Sequence, residues 1–161
     1  MGDKFKMDLN GFRNLVKKTH GLSSVNMEGA VKVGAEYVHG QAKELCPVDT
    51  GALRASIHME CMKIDDMWKA IIYTNKHYCI YVECGTGKKG EGTYPYEHTL
   101  KEELEYRQTP WWYTTDGGKT FHFTRGQRAQ PYMYAALERN KKVIMKLMNE
   151  ELKRIVNQKM K

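Results

Sequence analysis

The triplet Asp49-Thr50-Gly51 is the first place where this sequence could do chemistry. The same triplet stands at the active site of aspartic proteases, where two such carboxylates share one proton, so one copy could suffice in a homodimer. However, the helix predicted to lead into the triplet, the nearby Arg54 and the missing hydrophobic strand that would brace it do not fit that fold. A side chain that caps a new helical turn explains the same residues. A hydrolase therefore stays as a remote alternative.

The stretch from Gly85 to Gly90 satisfies the G-x-G-x-x-G pattern of dinucleotide-binding sites. Such a site needs a helix directly after the glycines, because the helix N-terminus holds the pyrophosphate. The residues that follow, Glu91-Gly92-Thr93-Tyr94-Pro95, do not predict a helix. A P-loop does not fit either, since Gly90 is followed by Glu91 and not by lysine with serine or threonine. The pattern therefore predicts no nucleotide site.

Metal ligation and nucleophilic catalysis have equally little support. Structural zinc sites are recognised by short ligand spacings, and isolated cysteines are commonly buried as small hydrophobic side chains. No local cysteine–histidine signature of an activated nucleophile is present. We therefore predict no catalytic residue, metal or cofactor. The candidate ligands, which form no C-x-x-C or H-x3-H pair, are Cys61, Cys79, Cys84, His58 and His77.

The composition predicts a single domain of 161 residues with a net charge of +7. That length suffices for one hydrophobic core, whereas the apolar runs are too short to cross a membrane. The N-terminus lacks a secretory apolar segment, and the four cysteines show no paired framework, so a reducing cytosol is expected. The positive charge favours polyanions. Solvated helix faces explain it in the ordinary way, and a sequence-nonspecific DNA-binding accessory protein is the alternative.

The stretch Cys46–Ile57, which we call the knuckle, is the point around which the predicted elements are arranged. Pro47 prevents a helix from running through it, because the ring removes a backbone donor and restricts the preceding residue. Asp49 or Thr50 can then cap a new helical turn by accepting one of its backbone N–H groups. The chain before the knuckle is predicted to be helical, and most of the chain after it is predicted to be β.

The sequence predicts an α+β fold, in which N-terminal helices and a long C-terminal helix pack on a mainly antiparallel β-sheet. Helices are indicated by a period of 3.6 residues, and strands by alternation and by β-branched or aromatic residues. Residues 78–87 are too few to distinguish a strand from a helical turn. The predicted helices cover 8–20, 24–45, 99–107 and 131–158, and the predicted strands cover 56–64, 67–74 and the two arms of a hairpin over 111–124.

The segment 88–124 is predicted to be an insertion that begins with a flexible polar loop and ends with the aromatic hairpin. The Asp116-Gly117-Gly118 turn of the hairpin permits positive φ angles. With the turn at this place, Trp112 shares a face with Phe121 and Phe123. We predict that this aromatic face is packed and not exposed.

Three blocks occur in order along the chain: Pro47-Val48-Asp49-Thr50-Gly51-Ala52-Leu53-Arg54-Ala55-Ser56-Ile57, Tyr78-Cys79-Ile80-Tyr81-Val82-Glu83-Cys84-Gly85-Thr86-Gly87 and Gln130-Pro131-Tyr132-Met133-Tyr134-Ala135-Ala136-Leu137-Glu138. Together they resemble the tail-completion proteins of tailed bacteriophages, which are head–tail joining (neck, minor structural) proteins. The resemblance runs from about residue 25 to the C-terminus. Cys84 departs from the family pattern, which usually has an aromatic residue at this position.

The resemblance implies a structural protein and not an enzyme, with an α+β fold, assembled as a ring at the junction of head connector and tail. Its partners would be other copies of the chain, the connector or head-closure protein, and the tail-terminator or tail-tube protein. DNA would pass through the lumen, where its phosphates attract a positive surface without regard to sequence. The protein would be in the host cytoplasm before assembly and in the virion afterwards.

The resemblance also implies which residues matter for structure and assembly. Those of the knuckle would fix its shape, and we expect Arg54 to pair with a carboxylate such as Asp49 or Glu83. Those of the second block would brace the sheet, and the loop over 88–109 is a candidate for ordering only on assembly. The full set is Pro47, Asp49, Thr50, Gly51, Leu53, Arg54, Tyr81, Glu83, Gly85, Thr86, Gly87, Pro131 and Tyr132.

Overall fold

A computed structural model describes residues 5–6, 26–96 and 105–159. The predicted α+β class is confirmed, whereas the helix predicted over 8–20 and most of the one predicted over 99–107 lie outside the described residues. None of the described helices is long and apolar enough to cross a membrane. The helices are α1 (Glu28–Leu45), α2 (Ala52–Ala55), α3 (Cys79–Cys84), α4 (Gly87–Gly90), α5 (Met133–Glu138) and α6 (Lys141–Lys159), and the strands are β1 (Phe5–Lys6), β2 (Ile57–Ile64), β3 (Met67–Thr74), β4 (Trp111–Tyr113) and β5 (His122–Thr124).

The main sheet has three strands in the order β1-β3-β2, with β3 in the centre. Strands β2 and β3 form the predicted antiparallel hairpin, in a register that places Ile57 opposite Thr74. Its turn consists of Asp65 and Asp66, which have positive φ angles of 50° and 59°. Aspartate tolerates this left-handed region better than most residues do, and such a turn matches the twist of the two strands.

Helix α1 forms the centre of the hydrophobic core, because its apolar residues contact both the main sheet and the C-terminal helices. A glycine allows α6 to approach it closely: an ideal Cβ on Gly34 would lie 2.8 Å from Met148. At Gly29 the corresponding atom would lie 3.2 Å from Glu151. The lower helix propensity of glycine is thus offset by tight packing between two helices.

The single helix predicted from Pro131 to about residue 158 is wrong in one respect, because the chain forms α5 and α6 with a break between them. At the break, the Asn140 side chain donates from Nδ2 to the carbonyl oxygen of Ala136 at 2.9 Å. Its Oδ1 accepts a hydrogen bond from the Tyr37 hydroxyl at 3.3 Å, which ties the break to α1. A side-chain amide that binds the backbone competes with a continuous helix.

The aromatic hairpin forms as predicted from β4 and β5. Trp112 lies opposite Phe123, with 5.3 Å between the ring centroids. The turn is held by Asp116, whose Oδ1 accepts the backbone N–H groups of Lys119 and Thr120 at 3.0 and 2.9 Å. These bonds fix the turn without help from the hydrophobic core.

The prediction that the aromatic face of this hairpin is packed is wrong. Trp112, Phe121 and Phe123 are 64%, 60% and 54% exposed. Side chains alternate between the two faces of a strand. Because Trp111 lies against Gly87 and faces the rest of the chain, its neighbour Trp112 faces away from it.

Candidate functional site

The knuckle is closed by a short-range cap, as predicted. Oγ1 of Thr50 accepts the backbone N–H of Ala52 at 3.3 Å. Gly51, between them, has a φ angle of 81°, which residues with a Cβ rarely adopt. Leu53 anchors the turn in the core with only 7% of its surface exposed. Thr50 therefore supplies the cap, and the neighbouring Asp49 is exposed.

Arg54 stabilises the knuckle through the backbone instead of through a carboxylate. Its Nη2 donates to the carbonyl oxygen of Cys46 at 2.9 Å, directly before Pro47. The ion pairs within the described ranges do not include Arg54, so the expected pairing with Asp49 or Glu83 is wrong. A guanidinium on this carbonyl joins the end of α1 to α2 by a charge-assisted hydrogen bond.

Glu83 is buried, with 5% of its surface exposed, and it caps α5. Its Oε2 accepts the backbone N–H groups of Tyr132 at 2.8 Å and Met133 at 3.0 Å, and its Oε1 accepts that of Tyr134 at 3.0 Å. The first N–H groups of a helix have no partner within the helix, and negative charge is favoured at that end. Glu83 therefore joins the second sequence block to the third, directly after Pro131.

Burial raises the pKa values of Glu83 and of two groups near it, Cys84 and Tyr94. Burial raises the pKa of Glu83 from 4.5 to about 7, and the N–H groups of Met133 and Tyr132 oppose this shift. Burial also raises the pKa of the Cys84 thiol to about 12 and raises the pKa of the Tyr94 phenol. Since only a thiolate is a strong nucleophile, Cys84 is a packing residue.

The glycines of the second block let the chain pack against its own backbone. Thr86 and Gln127 form an antiparallel bridge, in which each N–H donates to the carbonyl oxygen of the other residue at 2.9 and 3.1 Å. An ideal Cβ on Gly85 would lie 2.7 Å from a backbone nitrogen of segment 125–129, and one on Gly87 would lie 2.6 Å from a backbone oxygen of the same segment. The G-x-G-x-x-G pattern thus serves close backbone packing.

We call this contact between residues 81–90 and 125–134 the interlock. Besides the glycines it includes Tyr81, whose carbonyl oxygen accepts a hydrogen bond from Gln127 Nε2 at 2.9 Å. It adjoins the knuckle in the hydrophobic core, where Cys46 and Leu53 of the knuckle and Tyr132 of the interlock belong to one cluster of buried residues. The predicted site residues thus fall into two neighbouring groups, the knuckle and the interlock.

Sequence reasoning missed two residues that hold the interlock together, Thr93 just outside it and Gln127 within it. Thr93 Oγ1 accepts the N–H of Ala129 at 2.9 Å and donates to the carbonyl oxygen of Gly90 at 2.7 Å. Gln127 was not singled out either. One signal was present: Glu83 is the one charged residue in an apolar run, and the helix after Pro131 has no local capping side chain. A buried carboxylate and an uncapped helix satisfy each other.

The arrangement at the interlock connects segments and does not suggest a reaction. Within the described ranges, no group of three or more histidine, cysteine, aspartate or glutamate side chains is placed to hold a metal ion. The carboxylate of Glu83, the hydroxyl oxygen of Thr86 and Nε2 of Gln127 form hydrogen bonds to the protein's own backbone. These residues therefore hold the second and third blocks together.

Comparison with known families gives a match for residues 11–85, slightly less than half of the chain, to the HK97-gp10-like family, described as "Bacteriophage HK97-gp10, putative tail-component". The matched segment contains the knuckle and the second block up to Gly85. Searches of curated proteins and of solved structures gave no significant match. Residues 11–85 therefore match the family of HK97-gp10-like bacteriophage tail components, which confirms at this level the resemblance drawn from the sequence blocks.

Proposed function

We propose that this protein is a structural component of a tailed bacteriophage or prophage particle, which forms a ring at the head–tail junction or tail end. There it joins or completes the tail and lines the DNA passage. The family match over residues 11–85 supports the class of protein. Its neighbours in this proposal are further copies of the chain, the connector or head-closure protein, and the tail-terminator or tail-tube protein. The chain acts as one domain and moves from the host cytoplasm into the virion on assembly.

The exposed aromatic face of the hairpin is the observation that carries the proposal. It consists of Trp112, Phe121 and Phe123, each more than half exposed, with Trp112 in contact with Phe123. Large exposed apolar patches mark interaction sites, and aromatic residues are enriched in the cores of protein interfaces. A protein that packs against partners in an assembly can bury such a face in the interface.

The base of the hairpin is fixed, which supports docking of the face as a preformed surface. An ideal Cβ on Gly87 would lie 2.8 Å from the Trp111 ring, so the ring sits directly on the interlock. The Arg107 guanidinium lies 5.5 Å from the centroid of the same ring. A surface that is already rigid loses less conformational entropy on binding.

Incorporation into particles tests the proposal. Particles are purified from an induced prophage, and this protein is quantified against the major tail protein by mass spectrometry. We expect the wild type at a low, fixed ratio that survives washing at high salt. The variant Trp112→Ser/Phe123→Ser is expected to be lost from the particles, because its docking face is removed.

The matched control is Val143→Ser, which changes an exposed hydrophobic residue of α6 and is expected to be incorporated like the wild type. Intact particles without the wild-type protein would overturn the proposed function. Normal incorporation of the variant Trp112→Ser/Phe123→Ser would show that the aromatic face is not part of the interface.

The hydrolase alternative is tested at the knuckle. A hydrolase that uses Asp49 would lose its activity on Asp49→Asn while keeping its fold. In the structural proposal this substitution leaves stability and incorporation unchanged, because Thr50 and not Asp49 supplies the cap.

A further inference from the structure

The interlock brings together four cations on two segments of the chain. Lys88 and Lys89 lie in α4, Arg125 and Arg128 lie on the opposite segment, and all four side chains are exposed. The backbone N–H of Lys89 donates to the carbonyl oxygen of Arg125 at 3.3 Å. An ideal Cβ on Gly85 would lie 3.0 Å from the carbonyl carbon of Arg128. The two segments are thus in backbone contact, and we call these four residues the basic ridge.

Within the part of the chain that the structure describes, the charges of the basic ridge have no ion-pair partner. The next acidic residue along the chain, Glu91, accepts a hydrogen bond from Gln108 Nε2 at 3.1 Å. On α6, by contrast, Lys146 lies 3.9 Å from a carboxylate oxygen of Glu150, one turn away.

Like charges on paired segments destabilise the pairing. The chain nevertheless forms this contact and fixes it with glycines, since a Cβ on Gly87 would lie 2.6 Å from the carbonyl oxygen of Arg125 and one on Gly90 would lie 2.8 Å from that of Gln127. An anion bound across both segments would relieve the repulsion. The structure therefore provides a rigid backbone that carries long, exposed cationic side chains.

We propose that the basic ridge binds the phosphate backbone of duplex DNA without sequence preference. The inference rests on the proposed function for its setting, the DNA passage, but the binding is a property of the chain itself. Lysine and arginine contacts to phosphate supply sequence-independent affinity. Within 86–90 and 125–128 the residues beside the four cations are threonine, glycine and glutamine, which are not the apolar anchors of protein interfaces, and the neighbouring Trp111 ring is packed against Gly87. This composition favours a polyanion over an acidic protein.

Salt-dependent binding of the full-length chain to a labelled duplex of mixed sequence tests the proposal, with fluorescence anisotropy as the readout. The logarithm of the affinity falls with the logarithm of salt concentration by about 0.9 per phosphate contacted, so four contacts predict a slope of about −3.6. For Lys88→Gln/Lys89→Gln we expect a slope of about −1.8. If the two lines meet at about 1 M salt, this slope makes the affinity at about 50 mM salt about 200-fold weaker than that of the wild type. Arg125→Gln/Arg128→Gln is expected to have the same effect.

The control is Lys141→Gln/Lys146→Gln, which removes the same charge from α6, where both lysines lie beside carboxylates. It should keep the wild-type slope, and thermal unfolding checks that every variant is folded. Equal losses in ridge and control variants would show that binding follows net charge alone and would overturn the proposal. Binding of polyglutamate but not of the duplex would assign the ridge to an acidic protein and overturn it as well.

The two proposals fail separately in these experiments. A protein that is incorporated into particles but does not bind the duplex at low salt refutes the basic ridge as a DNA contact. A protein that binds the duplex with the expected slope but is absent from intact particles refutes the proposed function alone.

Discussion

The interlock and the aromatic hairpin lie next to each other, but they differ in which kind of side chain is buried and which is exposed. At the interlock a carboxylate is buried, with Glu83 only 5% exposed and bound by three backbone N–H groups. On the hairpin the side chain best suited to burial, Trp112, is 64% exposed. The polar group is satisfied inside the chain, whereas the apolar group is left uncovered. This difference separates what the fold needs from what, in the proposed function, the assembly needs.

The largest effect is expected from Gly126→Ala, compared with Gly117→Ala at the hairpin turn. A Cβ on Gly126 would collide with the backbone carbonyl of Thr86, and both glycines have positive φ angles, 96° and 72°. We expect Gly126→Ala to lower the free energy of unfolding by more than about 4 kcal/mol. Gly117 has no atom within 4 Å of an ideal Cβ, so its substitution should cost only about 1–2 kcal/mol of backbone strain. Urea unfolding measures both, and equal costs would contradict the contrast between the two regions.

Glu83→Ala is expected to have the next largest effect. It leaves the first N–H groups of α5 without an acceptor in a buried place, so we expect the free energy of unfolding to fall by about 3 kcal/mol. Glu91→Ala is the control, because Glu91 is exposed and its change should stay within about 0.5 kcal/mol. Urea unfolding at one pH gives both values. A Glu83→Ala protein as stable as the control would mean that α5 does not depend on this cap.

The pH dependence of stability also tests the burial of Glu83. Burial raises the pKa of Glu83 from 4.5 to about 7, so the folded protein binds this proton more tightly than the unfolded chain does. The contribution of Glu83 is therefore fully present below about pH 4.5 and is lost as the pH rises through about 7. Glu83→Gln removes the titration. We expect the wild type to lose stability relative to Glu83→Gln as the pH rises from 4.5 to about 7, and a difference that stays constant over this range would contradict the raised pKa.

The smallest effect is expected on the hairpin. Trp112→Ser/Phe123→Ser changes exposed side chains only, so the free energy of unfolding of the isolated protein should change by less than about 1 kcal/mol. Urea unfolding of the purified chain checks this. A loss comparable to that of Glu83→Ala would show that the aromatic face supports the fold, and the comparison between the two regions would no longer hold.

The parts of the fold that follow a local pattern could be predicted from the sequence. The β2–β3 hairpin was predicted nearly to its ends, because alternating apolar residues and a polar turn lie within a few residues of each other. The cap at Thr50 was predicted for the same reason. The break at Asn140 was not, since the apolar stripe continues across it and the Tyr37 hydroxyl that holds Asn140 comes from a distant helix.

The parts of the site that depend on distant contacts could not be read in the same way. Glu83 and Tyr132 lie far apart in the sequence, and charge alone suggested Arg54 as a partner for Glu83. Burial instead matched Glu83 with backbone N–H groups, which carry no sequence signal of their own. The exposure of Trp112 was mispredicted because hydrophobic side chains are usually covered by their own chain.

The bonds between Glu83 and α5 also close a loop in the chain, and polymer statistics then determine how costly that loop is. The entropy of closure grows only with the logarithm of the loop length, so doubling the number of residues between Glu83 and Tyr132 would cost only about 0.6 kcal/mol. The tip of the hairpin, residues 114–121, can therefore be lengthened or exchanged while the interlock on both sides of it and the buried Tyr94 stay in place. In engineering terms it is a cassette: a different contact surface could be inserted there without redesign of the core.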